Sequence, residues 1–219
     1  MRKIYYLCQN FEYMKIGLFF GSFNPITVAH MILAQYMLDN TDIDELWFVV
    51  SPQNPFKDTN ILADEKMRLE MVKIAIKGKI NMKACDVEFF MPKPSYTIDT
   101  LKSLNKSYPN DEFSIIIGTD ILNSMNKWKN YEQIIANHKI YVVSRETGSF
   151  SFPILSDDVN NNIIFKNDFP KTGISSTLIR DTIKSNKNPR CFLNEDVWDY
   201  IQKNELYKNS ADAEEKEYC

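Results

Sequence analysis

Two short stretches of this chain concentrate groups that hold phosphate. The first is Gly21-Ser22-Phe23-Asn24-Pro25-Ile26-Thr27, which follows an apolar run and precedes a helix-period segment with His30 on its first turn. Glycine permits a tight turn and close backbone approach. Pro25 fixes the backbone at a turn or helix entry, and Thr27 suits the N-cap of a helix beginning at Val28. Backbone N–H groups, the positive end of a helix dipole and an imidazole then converge, which makes an anion site. The second stretch is Gly173-Ile174-Ser175-Ser176-Thr177-Leu178-Ile179-Arg180. Three successive hydroxyls cap a helix with donors to spare, and Arg180 lies one turn inside it. That combination is a second phosphate clamp. Taken singly, the first also reads as a plain strand-to-helix turn over a buried histidine, and the second as an ordinary cap beside a surface arginine. Together they suit a polyphosphate. Neither GxxxxGK[ST] nor GxGxxG occurs in the chain, so phosphate would be held without a glycine cradle.

Composition narrows the chemistry further. The 219 residues include only 6 Gly, 4 Cys and 2 His. Two histidines, His30 and His138, exclude a three-histidine zinc site, and His138, just before a strand, reads as structural. The four cysteines (Cys8, Cys85, Cys191, Cys219) form no CxxC pair, so a zinc ribbon or thioredoxin-type site has no support. Reduced thiols in a cytoplasmic or nuclear compartment are expected. No apolar run is long enough for a membrane span, and the N-terminal apolar patch is too short and polar for a signal peptide. The net charge of -3 resides in the tail, where Asp212, Glu214, Glu215 and Glu217 face Lys216, leaving 25 charges of each sign elsewhere. A balanced body is a poor polyanion binder, so no nucleic-acid partner is expected.

These residues need elements to position them. Apolar strands at Lys15–Phe20, Glu45–Ser51, Ile80–Val87, Phe113–Ile117 and Lys139–Ser144, with a last one at Ile163–Phe165, alternate with helix-period segments. The helices are expected at Val28–Asp39, Asp64–Lys77, Thr97–Tyr108, Ser175–Lys184 and Asn194–Lys203, with a broken helical region at Asp120–Ala136. Continuous apolar strands require cover on both faces. The fold expected is α/β: a Rossmann-like, doubly wound, mainly parallel sheet with helices on both faces. One domain, 15–207, sits between an N-terminal extension (1–14) and an acidic tail (208–219) expected to lack fixed structure. Nothing in the sequence sets the oligomeric state, and a homo-oligomer is compatible with it.

The segments Gly21–His30 and Ile174–Arg180 resemble the GxFxPxHxxH-type and ISSTxxR motifs of the nucleotidylyltransferase superfamily. More closely, the chain looks like a nicotinate/nicotinamide mononucleotide adenylyltransferase. Ser95-Tyr96-Thr97-Ile98-Asp99-Thr100-Leu101, Ile117-Gly118-Thr119-Asp120 with Trp128, and Cys191–Tyr207 resemble the bacterial, nicotinate-preferring branch. Thr27 and Asn24 depart from that branch and are similar to eukaryotic nicotinamide-mononucleotide enzymes.

The resemblance implies adenylyl transfer from ATP to nicotinate mononucleotide, or nicotinamide mononucleotide, with Mg²⁺ carried on the ATP phosphates. It puts Gly21, Ser22, Phe23, Thr27 and Gly118 beside ATP, His30 on the reacting phosphates, and Ser176, Thr177 and Arg180 on the β and γ phosphates. Ile174 and Ser175 would lie near adenosine. Lys57, in the loop after strand two, would reach a phosphate. Tyr96, Thr97, Asp120 and Trp128 would read the mononucleotide, joined by Arg145. An indole face suits a flat cationic pyridinium, although plain packing is the other reading of Trp128, and a solvated loop lysine that of Lys57. Rivals are a pantetheine-phosphate adenylyltransferase or cytidylyltransferase, and a nucleotide-binding module without catalysis.

Overall fold

The structure, a computed structural model, describes residues 13–53, 62–144 and 161–208. Among them are six strands, β1 (Lys15–Gly21), β2 (Glu45–Val50), β3 (Met82–Cys85), β4 (Glu112–Gly118), β5 (Ile140–Val143) and β6 (Ile163–Lys166). The helices are α1 (Val28–Asn40), α2 (Glu65–Ala75), α3 (Thr97–Ser107), the short α4 (Thr119–Leu122), α5 (Tyr131–Asn137), α6 (Ser176–Lys184) and α7 (Glu195–Lys203). The strands form one sheet in the order β3-β2-β1-β4-β5-β6, and every neighbouring pair is parallel. This is the doubly wound order, whose direction of winding reverses between β1 and β4.

Alternation along the strands explains the layers. In β2, Leu46, Phe48 and Val50 face one core with Leu33 and Met37 of α1, Val72 of α2, Ile179 of α6 and Val197 of α7. Trp47 and Val49 face the opposite core with Leu101 and Leu104 of α3 and Ile134 of α5. Both faces of the sheet are therefore covered. Trp47, 3% exposed, belongs to the core, and Trp198 of α7 packs against the other face. His138 bonds through Nδ1 to the carbonyl of Phe113 at 2.9 Å, a structural contact.

The strand and helix positions match those expected, with small differences at the ends. The third strand begins at Met82 rather than Ile80, because pairing with β2 starts at Leu46↔Met82 and Ile80 stands out in the preceding turn, 94% exposed. It ends at Cys85, and Val87–Phe90 coils into a 3₁₀ turn. Asp64 caps α2 by accepting from the Lys66 N–H at 2.9 Å. The segment 120–136 is broken as expected, into α4, a 3₁₀ turn (Met125–Lys127) and α5, with left-handed Asn130 (φ 53) before the last. Cys85 is buried and Cys191 exposed, both as free thiols; Cys8 and Cys219 lie outside the described residues. So do nearly all of the N-terminal extension and acidic tail.

At the amino-terminal edge of the sheet, Asp42, just before β2, ties β1 to β5 across β4. It accepts from Lys15 of β1 at 2.9 Å, from Lys139 beside β5 at 3.0 Å, and from the phenol of Tyr141. The Tyr141 hydrogen bond, then those from the lysines, hold the Asp42 carboxyl well below the usual carboxylate range. A depressed folded-state value stabilises the fold above the unfolded value of about 3.9. That contribution fades as pH falls through and below it. Asp42→Asn is expected to melt below wild type at neutral pH. The gap between the two melting curves should narrow as pH falls below about 5 and close only once the pH lies below the depressed folded-state value. A gap independent of pH would refute the assignment.

Candidate active site

A cleft of about 1080 Å³ opens at the carboxyl ends of β1 and β4, on either side of the point where the sheet changes direction. This is where doubly wound sheets place ligands. Its walls come from the loop after β1, the first turn of α1, the segment before α3, the region after β4, and residues 169–180.

The loop after β1 is shaped from within. Phe23 has φ 45, a left-handed conformation that costs an aromatic residue free energy and points to a constrained, functional loop. Its ring is buried among Phe19, Phe48 and His30, with centroids 5.6, 5.5 and 5.3 Å away. That ring folds back over Gly21, where a Cβ would stand 2.8 Å from it, so only glycine fits. Asn24 is buried; its Oδ1 accepts from the Ala63 N–H at 3.1 Å and from the Tyr207 hydroxyl at 2.8 Å. Burial raises the Tyr207 phenol well above its ordinary value, which keeps it a donor. A neutral amide oxygen serves both donors.

His30 reaches back to the N-cap. Its Nδ1 lies 3.0 Å from the Thr27 backbone N and 2.9 Å from Thr27 Oγ1. A backbone N–H can only donate, so Nδ1 is the acceptor and the proton of the neutral ring sits on Nε2. Thr27 itself is 1% exposed and stands behind the cleft wall, where it orients the imidazole.

The second clamp docks directly on the first. Ser175 caps α6 by accepting from the Leu178 N–H at 3.1 Å. Ser176 donates to the carbonyl of Pro25 at 2.8 Å. Arg180 donates to the carbonyl of Asn24 at 2.8 Å and to Thr177 Oγ1 at 3.2 Å, while its buried Nε–H has no protein partner among the described residues. An arginine carries five N–H donors, so the guanidinium can bind an anion without releasing the loop.

At the other end of the cleft stand Tyr96 and Thr97, which open α3, with Gly118, Asp120 and Trp128 from the region after β4. Trp128 is partly buried; it packs on the core and also lines the cleft. The structure thus brings Gly21, Ser22, Phe23, His30, Gly118, Ile174, Ser175, Ser176, Thr177 and Arg180 into one cleft with Tyr96, Thr97, Asp120 and Trp128. Lys57 and Arg145 lie outside the described residues.

Sequence reasoning missed two buried charges that shape these walls. Arg68 of α2 is 1% exposed and donates to the carbonyls of Ala63 (2.9 Å), Ser22 (2.7 Å), Ser51 (2.8 Å) and Pro52 (2.9 Å). It fastens the loop after β1 to the loop after β2, and burial lowers its pKa. Glu88, 3% exposed, accepts from Ser95 Oγ at 2.8 Å and Thr100 Oγ1 at 2.9 Å, holding the entry to α3 in place.

Comparison with known proteins agrees with this architecture. The model of the cytidylyltransferase-like family matches residues 18–182. A probable nicotinate-nucleotide adenylyltransferase of Flavobacterium johnsoniae is 44% identical over 89% of this chain and 100% of its own length. The chain belongs to the nicotinate-nucleotide adenylyltransferase family. A member from Bacteroides fragilis is 40% identical over 85% of this chain and 90% of its own. The nicotinic acid mononucleotide adenylyltransferase of Plasmodium falciparum, solved as a complex with NaAD, superposes with a TM-score of 0.73 over 89% of this chain and 98% of that one. At 22% identity that likeness establishes the shared fold. The loop-and-cap clamp of this family member is therefore set on a fold common to distant adenylyltransferases. No helix among the described residues is long and apolar enough to cross a membrane.

Proposed function

We propose that this chain transfers the adenylyl group of ATP to nicotinate mononucleotide, releasing pyrophosphate and forming the dinucleotide. A phosphate oxygen of the mononucleotide attacks the α-phosphorus of ATP in line. The bond from that phosphorus to the bridging oxygen breaks, and pyrophosphate leaves with the electron pair. The attacking phosphate is already an anion, so no general base is required, and catalysis rests on positioning and charge neutralisation. The backbone of Gly21, Ser22 and Phe23 bounds the reacting phosphates, and the His30 Nε2–H donates to charge that builds on them. Ser176, Thr177 and Arg180 hold the β and γ phosphates, with Lys57 approaching from the loop after β2. Ile174, Ser175 and Gly118 flank the adenosine. Mg²⁺ enters as the ATP complex. Such an ion is held mainly by the phosphates and water, since Mg²⁺ seldom uses an all-protein cage.

The interlock of the two phosphate-facing segments carries this reading: Ser176 on Pro25 and Arg180 on Asn24 bring both clamps to one point. The pyridine ring then lies toward Trp128, with Tyr96, Thr97, Asp120 and Arg145 around the mononucleotide. Purified protein with ATP, Mg²⁺ and each mononucleotide in turn tests it, by coupled pyrophosphate release and detection of the dinucleotide. The expected result is a kcat/KM at least about tenfold higher for nicotinate than for nicotinamide mononucleotide. A comparable preference for the amide refutes the substrate. Absence of dinucleotide from both refutes the activity.

A further inference from the structure

Two walls of the cleft flank the second clamp, and they are built differently. One is α1, a continuous helix whose Ala29, His30 and Leu33 line the cleft. The other is the segment 167–174 between β6 and α6, which contributes Phe169 and Ile174. That segment has neither helical nor strand structure, and most of its residues are exposed. Among the described residues no backbone–backbone hydrogen bond reaches it. A stretch without ladder or helix bonds stands only as firmly as its side chains hold it.

Those holds come from α1. Tyr36 and Asn40 lie 4 residues apart, on one face of the helix. The Tyr36 hydroxyl donates to Asp168 Oδ1. Just before it, Lys166 at the end of β6 donates to the carbonyl of Asn40 at 2.6 Å. The Tyr36 ring also meets the Phe169 ring edge-on, with centroids 5.4 Å apart. Phe169 is buried in the same core as Leu33 and Met37 of α1. Among the described residues, the bond from Tyr36 is the one side-chain hydrogen bond that reaches 167–174 from another element. Burial, then the bond to Asp168, push the Tyr36 phenol up to about 12, so it remains a donor at neutral pH. Neither Tyr36 nor Asp168 lines the cleft; they stand behind its wall.

We propose that Tyr36 is a positioning residue for ATP, which acts through Asp168 and Phe169 to fix the segment 167–174 against α1 and so sets the width of the adenosine slot. This assignment rests on the adenylyl-transfer reading above, which puts adenosine beside Ile174 and Ser175.

The test compares wild type with Tyr36→Phe, Asp168→Ala, their double variant and Asp168→Asn. Steady-state kinetics give kcat and the KM of each substrate, and calorimetry gives binding of ATP and of inorganic tripolyphosphate, both with Mg²⁺. Tyr36→Phe keeps the ring on Phe169 and removes the hydroxyl. It is expected to raise KM for ATP by about fivefold, with kcat and KM for the mononucleotide within about twofold of wild type. Tripolyphosphate, which offers phosphates without adenosine, should bind as it does to wild type. Asp168→Ala should match Tyr36→Phe, and the double variant should be no worse than either. Asp168→Asn can still accept from the phenol and should recover most of the ATP affinity. An unchanged KM for ATP, an equal weakening of tripolyphosphate or the mononucleotide, or additive losses in the double variant overturn the role of Tyr36. A wild-type protein that binds ATP but makes no dinucleotide fails the adenylyl-transfer reading alone, because calorimetry still decides on Tyr36. Wild type that does not bind ATP removes both.

Discussion

His30→Ala is expected to lower kcat by ~10²-fold or more, the loss typical of removing one donor aimed at developing negative charge. KM for ATP should move much less, because the interaction strengthens as the transition state forms. The variant also loses the bond from the Thr27 N–H to Nδ1 at 3.0 Å. A lost cap of this kind costs about 1 kcal/mol, which for a domain of this size lowers Tm by about 2–4 °C. The two effects are separable: a small shift in melting with a large fall in turnover. His30→Asn, which can still reach the N-cap, should recover stability without recovering turnover. Near-normal kcat in the alanine variant, or outright unfolding, would assign His30 a purely structural part.

The largest stability effect should come from Arg68→Met. The side chain volume is nearly kept, but four buried carbonyls, those of Ser22, Ser51, Pro52 and Ala63, each lose a charged donor. An unsatisfied buried acceptor costs about 1–3 kcal/mol. The losses overlap and relax, so a net of about 4 kcal/mol is expected, lowering Tm by about 8–16 °C. Below the melting range kcat/KM for ATP should fall as well, because Ser22 belongs to the loop that lines the cleft. Arg68→Lys can restore charge but not a fork that reaches four acceptors, so it should recover part of the stability and little of the activity. A Tm within about 3 °C of wild type would refute the role.

Much of the fold was legible because its signals are local. β1, β2 and β4 are apolar runs that alternate sides of a covered sheet, and Asp64 and Ser175 announce their helices by capping them. The two segments proposed to clamp phosphate were legible for the same reason: each is a contiguous strand–turn–helix or cap segment. Their mutual docking was not, since the bond from Arg180 to Asn24 joins positions 156 apart. Arg68 was hidden in a different way. In sequence it is one more charge on a helix, and only its phase gives it away: it shares the buried stripe of α2 with Val72 and Ala75. A charge in the apolar phase of a helix is the signal that could have found it. Glu88 carries a weaker one, as a carboxylate just beyond the end of a strand on the ligand edge. The third strand was read too long because Ile80 is apolar, whereas its end is set by where β2 offers a partner.

Asn24 joins distant parts of the chain. Its side chain is held by Ala63 and Tyr207, its carbonyl by Arg180, and its neighbour Pro25 by Ser176. The farthest of these partners lies 183 positions downstream. On the ribosome, the loop after β1 emerges early but cannot reach its working shape until α6, α7 and the turn at Tyr207 have followed it out. Such long-range closures form late and slowly. The loop after β1 is therefore complete only in a chain that extends through Tyr207.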